Sequence, residues 1–122
     1  MIRELPDSEW EPFLTSFTMQ HDRWLVTVES IRGWHRQIET RDEPLEGLIV
    51  RTDGGNQQEI VVTVGGDAGR HKHFVIDNPK HLRVASENGV DQALEIEGSG
   101  GNVTRIAFRS AIAPELVDGI AP

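Results

Sequence analysis

Apolar and polar residues alternate most clearly between Leu94 and Arg109. Leu94 and Ile96 alternate with Glu95 and Glu97, and Ile106 and Phe108 alternate with Arg105 and Arg109. The loop Gly98-Ser99-Gly100-Gly101-Asn102 separates the two arms. Folded about Gly100, the arms set Leu94 opposite Ile106 on one face, with Glu95 opposite Arg105 and Asp91 opposite Arg109 on the other. Strand side chains point to alternate faces, so this register buries one face and pairs charges on the other.

The same period of two recurs along most of the chain. Trp24, Val26 and Val28 share a face opposed to Leu25, Thr27 and Glu29, and Arg32-Gly33 breaks the run. Trp34–Arg41 alternates but is highly polar, which suits an exposed or edge strand. Asp42-Glu43-Pro44 is expected to interrupt it. Leu45–Thr52 and Glu59–Val64 read as two arms of a hairpin across Asp53-Gly54-Gly55-Asn56. Gly65–Gly69 is a glycine loop, His71–Asp77 a strand, Asn78-Pro79 a turn, and Leu82–Ser86 a strand running to a turn at Asn88-Gly89. Only the N-terminus has helical spacing. Trp10, Phe13, Leu14 and Phe17 recur at i, i+3, i+4 and i+7, and Ser8 and Glu11 have the spacing of a capping box, so a helix is expected over about 8–20. The tail from Ser110 is expected to hold at most one helical turn near Leu116-Val117.

The expected fold is therefore mainly β (α+β) and a single domain over 1–122. It has one N-terminal helix, a β-rich body over 23–109 and a short tail over 110–122. About seven or eight short strands in meander order point to a small antiparallel β-barrel or a strongly curved sheet.

Composition narrows the function. The 122 residues include no cysteine, which excludes disulfides, thiolate metal sites and thiol nucleophiles. The net charge of −8 disfavours nucleic acid, because phosphate neutralisation dominates that affinity. The charged, proline-broken start is unlike a secretory signal, and no apolar run exceeds three residues, so the expected setting is cytoplasmic with no membrane span.

Read end to end, the chain resembles a family of small uncharacterised bacterial proteins catalogued as a domain of unknown function. The residues that carry the resemblance begin with Trp10, Phe13, Phe17 and His21, followed by Trp24–Glu29, Pro44–Gly47, and His73 with Asn78-Pro79. They continue through Ala93–Glu97 to Phe108–Ser110, Pro114-Glu115 and Asp118-Gly119. The resemblance implies no activity and no catalytic residues.

The sharpest candidate chemistry is in His71-Lys72-His73-Phe74-Val75-Ile76-Asp77. Alternation puts Phe74 and Ile76 in the core and gathers His71, His73 and Asp77 on the opposite face. With His81 or Asp67 as a third ligand, such a set suits zinc or iron; the bland alternative is a pair of solvent-facing histidines. Gly65–Arg70 lacks the ending of a phosphate-binding loop. The carboxylate pairs Glu9/Glu11, Asp42/Glu43 and Glu95/Glu97 belong to solvated faces, and His21 suits the C-terminal end of the helix dipole. Arg32, Trp34 and Arg36 lie together, and exposed Trp and Arg are the residues of which interaction hot spots are made. No catalytic constellation emerges. The expected function is a non-catalytic binding or protein-interaction module that meets another protein or itself through Trp34–Arg41 or an open sheet edge. A metal-binding protein or metal-dependent enzyme is the alternative, and a hydrophobic ligand inside a barrel is a third idea.

Overall fold

A computed structural model describes residues 1–52, 55, 57–65 and 71–109. The glycine loop from Gly66 to Arg70, most of the turn after Thr52, and the tail with its expected turn at Leu116-Val117 lie outside the described residues. The chain runs through β1 (Ile2–Leu5), a 3-10 turn (Asp7–Glu9), α1 (Trp10–Gln20), β2 (Leu25–Arg32) and β3 (His35–Thr52). It continues through β4 (Gln58–Val64), β5 (Lys72–Asp77), β6 (Pro79–Glu87), β7 (Val90–Gly98) and β8 (Val103–Arg109).

The eight strands form one antiparallel sheet in the order β1-β6-β7-β8-β2-β3-β4-β5. It is two meanders, β2 to β5 and β6 to β8, joined by a ladder in which Val26 lies opposite Phe108 and Val28 opposite Ile106. Among the described residues the sheet is not closed, so it is the open, bent alternative to a barrel, with β1 and β5 as its edges. It folds back on itself all the same. Lys72 of β5 donates to Thr40 Oγ1 of β3 (3.2 Å), and a Cβ on Gly98 of β7 would come within 3.3 Å of the Asp77 carbonyl oxygen of β5. Glycine at 98 permits that close approach.

About seven or eight strands were expected; eight are present, but β1 was not among those expected. β1 carries no alternation readable over four residues; it exists because it pairs with β6, Ile2 opposite Ala85 and Leu5 opposite Leu82. The expected break at Asp42-Glu43-Pro44 is instead a bend inside one 18-residue strand. Asp42 takes a left-handed backbone (φ 54°), its N–H donates to Thr27 Oγ1 (3.3 Å), and the β2–β3 register slips on either side of Val28. Residues from His35 to Pro44 pair with β2 across the bend, and Leu45–Thr52 pair with β4. A β-bulge of this kind re-aims a strand without ending it.

The N-terminal helix is present, but it is not capped as expected. Ser8 falls in the 3-10 turn and Glu9 is the N-cap, with no side-chain cap bond at either end of that turn or at the start of α1. Trp10, Leu14 and Phe17 face inward, and Trp10 Nε1 donates to the Leu5 carbonyl, which ties α1 to β1 (3.0 Å). They join Val26, Val28, Leu45, Leu48, Ile60, Val62, Leu82, Leu94, Ile96 and Ile106 in one continuous core, so side chains fill the inside of the curl. Each fully buried Leu or Ile contributes about 2 kcal/mol of apolar burial. No helix among the described residues is long and apolar enough to cross a membrane.

The central hairpin has the register read from its pattern. Leu94 lies opposite Ile106 and Glu95 opposite Arg105, with a 3.5 Å ion pair between the latter two. Asp91 departs from expectation. It lies across from Ser86 on β6, and its carboxylate stands 3.7 Å from His21.

If the Asp42 backbone sets the bend, Asp42→Val, whose branched side chain disfavours the left-handed region, should cost about 1–3 kcal/mol in urea denaturation. An unchanged midpoint would show that the bend does not depend on that conformation.

Candidate functional site

The most exposed aromatic group sits at the tip of the β2–β3 hairpin. Arg32 pairs with His35 across a two-residue turn, and Gly33 holds the left-handed conformation (φ 59°) that such a turn requires. The turn projects Trp34 entirely into solvent, at 100% relative exposure. Alternation sends the flanking arginines to opposite faces. Arg36 lies opposite Ile31 and reaches both Glu29 oxygens (3.4 and 3.5 Å), whereas Arg32 shares the face of Ser30. The three residues thus straddle the tip rather than forming one flat patch. On the Arg32 side, a cleft of about 460 Å³ is lined by Ser30, Arg32, Val75, Asp77, Asn102 and Thr104, so it joins the hairpin to the end of β5.

The histidines of the metal hypothesis engage separate strands. A carboxylate only accepts, so His71 Nδ1–H donates to Glu46 Oε1 (2.7 Å) and His81 Nδ1–H to Glu4 Oε2 (2.5 Å). His73 Nδ1 lies 3.0 Å from Thr63 Oγ1. His73 and Asp77 share the outer face of β5, as their spacing implied. His81 belongs to β6, opposite Glu97, and Asp67 lies outside the described residues. Among the described residues no three His, Asp or Glu side chains converge as a metal group.

His21 has a structural place. It is 6% exposed and follows the last residue of α1, where Nδ1–H donates to the Phe17 carbonyl (2.9 Å). Its ring stacks on Phe17 at 4.0 Å and meets Trp24 edge-on at 4.6 Å, with Phe108 of β8 on another side at 5.3 Å. Two carboxylates of the outer faces are likewise engaged: Glu97 pairs with Arg83 at 2.9 Å, and Glu4 with both His81 and Arg83. The His81 hydrogen bond, helped by the positive charge of His81 and Arg83, holds the Glu4 carboxyl below its ordinary value of 4.5.

One surface went unread in the sequence. Ile49 of β3 lies opposite Val61 of β4, and Val61 lies opposite Val75 of β5. They form a straight apolar row on the outer face, with Ile49 and Val75 about half exposed. Its signal is the triplets Leu48-Ile49-Val50, Ile60-Val61-Val62 and Phe74-Val75-Ile76, each apolar on both faces with its middle residue turned outward.

With the geometry in hand, comparison with known proteins adds one finding. A family described as a family of unknown function, DUF5335, matches residues 1–116 of the chain. The chain belongs to that family. No curated protein and no solved structure matches it significantly. Membership of DUF5335 agrees with the resemblance read from the residues and brings no activity with it.

Two outcomes are expected at these residues. Because the folded-state value of Glu4 is depressed, its contribution to holding β1 is present above pH 4.5 and lost as pH falls through the lower folded value. Amide protection of Ile2–Leu5 should therefore drop on acidification in the wild type, and this pH dependence should be smaller in Glu4→Gln; equal slopes would remove the role given to Glu4. His21→Ala leaves a cavity among three aromatic rings and frees a helix carbonyl. It should cost about 2–4 kcal/mol in chemical denaturation.

Proposed function

We propose that the protein is a non-catalytic interaction module that grips a polypeptide partner with the tip of the β2–β3 hairpin. The observation that carries this reading is Trp34, wholly exposed on a tight turn whose strands are anchored in an eight-stranded sheet. An indole in water is unfavourable. Covering roughly 200 Å² of it on a partner is worth about 5 kcal/mol before the costs of association. The turn restrains the backbone, so little ordering entropy opposes that gain, and Arg32 and Arg36 flank the ring with donors for backbone carbonyls or carboxylates. The cleft beside Arg32 offers Ser30, Asn102 and Thr104 to the polar part of the same ligand.

The metal alternative has His71 and His73 to build on, but no third ligand among the described residues.

In lysate of the source organism, cross-linking from a photoreactive group placed beside position 34 should give a discrete adduct that Trp34→Ala removes, while Met19→Ala, at another exposed apolar residue, leaves it intact. Trp34→Ala itself should shift stability by less than about 0.5 kcal/mol, since the side chain touches nothing in the fold. An adduct pattern indifferent to Trp34 would refute the reading.

A further inference from the structure

We infer that the mouth of the curled sheet beside Arg32 is a carboxylate-binding subsite. The inference rests on the reading of the hairpin as a polypeptide grip, and it names the group of the partner that enters the cleft. That group is a carboxylate, supplied by an acidic side chain or by a chain terminus.

The inner face of the curl is apolar until it reaches this end. Along β2 the inward positions are Val26 and Val28, both fully buried, and then Ser30 and Arg32. Across from them on β8, Ile106 is buried opposite Val28, and Thr104 lies opposite Ser30. Ser30, Arg32, Thr104 and Asn102 line the cleft of about 460 Å³, so the core gives way there to hydroxyls, an amide and one guanidinium. Mouths of curled sheets are common places for small ligands, and this volume is in the usual range.

These polar groups are left unused by the fold. Ser30, Asn102 and Thr104 have no side-chain hydrogen bond among the described residues, and Arg32 has no ion pair. Arg36, Arg51, Arg83 and Arg105 each hold a carboxylate instead. The opposite end of β5 gives the contrast. There Lys72, of one parity with the inward Phe74 and Ile76, donates to Thr40 (3.2 Å) and stands 3.7 Å from Glu43. One mouth is closed by the chain's own anion, and the other presents a cation without one. Asp77, the other charged residue on the cleft, has the outward parity of Val75, and Glu39 borders Arg32 on its far side; neither is paired with it.

The chemistry of the set selects the ligand. A guanidinium offers planar, forked donors that match the two oxygens of a carboxylate, and the hydroxyls and amide can serve the groups beside it. A single cation in a chain of net charge −8 suits one negative charge better than the nearly two of a phosphate. The strands hold Arg32 in place, since Arg32 pairs with His35 and the preceding Ile31 pairs with both Arg36 and Val103.

Amide chemical shifts of the full chain, followed in titrations with three short peptides, test this. Acetyl-trialanine ends in a free carboxylate, acetyl-Ala-Glu-Ala amide carries one on a side chain, and acetyl-trialanine amide carries none. One or both carboxylate peptides should move the amides of Ser30, Arg32, Asn102 and Thr104 and saturate with a Kd of about 1–10 mM. The tighter of the two identifies the source, and the neutral peptide should leave these amides in place. Arg32→Gln should weaken binding by about tenfold, and Arg36→Gln by less than about twofold; amide spectra unchanged away from the cleft show that both variants are folded. A neutral peptide that binds equally well overturns the inference, as does an Arg36→Gln loss equal to that of Arg32→Gln, or no saturating shift up to about 50 mM. The hairpin reading fails separately. A flat titration beside a Trp34-dependent cross-link removes the carboxylate and leaves the grip, whereas a saturating titration without that cross-link removes the grip and leaves the subsite.

Discussion

The bend in β3 is the constraint on which the rest depends. Eighteen residues of extended chain span about 60 Å, whereas a compact domain of this length is about 35 Å across. The strand has to turn, and it does so at Asp42 without giving up its ladders. One half is thereby committed to β2 and the other to β4, two directions of the same sheet. Lys72 of β5 then returns to the inner side of β3 at Thr40, and the sheet encloses a core that a flat sheet would leave wet on one face.

Enclosure leaves two edges, and they are managed differently. β1 is short, tied to the helix through Trp10 and held at Glu4 by His81 and Arg83. β5 pairs with no strand beyond β4 among the described residues; its last residues meet Gly98 of β7 and border a cleft. Arg32 of the β2–β3 hairpin and Val75–Asp77 of β5 line one cleft, while Trp34 stands out in solvent at the hairpin tip. The helix end is closed by contrast. His21 fills the gap between α1, β7 and β8 by packing three aromatic rings around an imidazole that also satisfies a helix carbonyl.

Much of this was readable because alternation is a local property. Leu94 against Ile106 and Glu95 against Arg105 follow from face parity and loop length, and both hold. The stripe Trp10, Leu14 and Phe17 follows from a period of 3.6 and is buried. Asp42-Glu43-Pro44 misled because breaker residues look alike whether a strand ends or bulges; the partner strands on both sides decide which. β1 was invisible for a related reason, since four residues carry too little pattern without β6 beside them. Of the candidate site residues, His73 and Asp77 share a face as parity requires, but their neighbours Thr63 and Glu59 come from another strand and no spacing along β5 announces them.

The sequence by itself determined the class of fold, the face each side chain takes within its strand, and the residues that must be buried. These depend on near-neighbour geometry and on the cost of leaving apolar surface in water, both written into consecutive residues. Tertiary structure alone decided the order of the strands, the non-sequential β2–β8 ladder, the bend rather than break in β3, and which strands end the sheet among the described residues. Those outcomes depend on how distant segments compete to cover one another. That is why Val75 reads as one more strand residue in the sequence and becomes the half-exposed end of an apolar row, with Val61 buried at its centre, only when β3, β4 and β5 lie side by side.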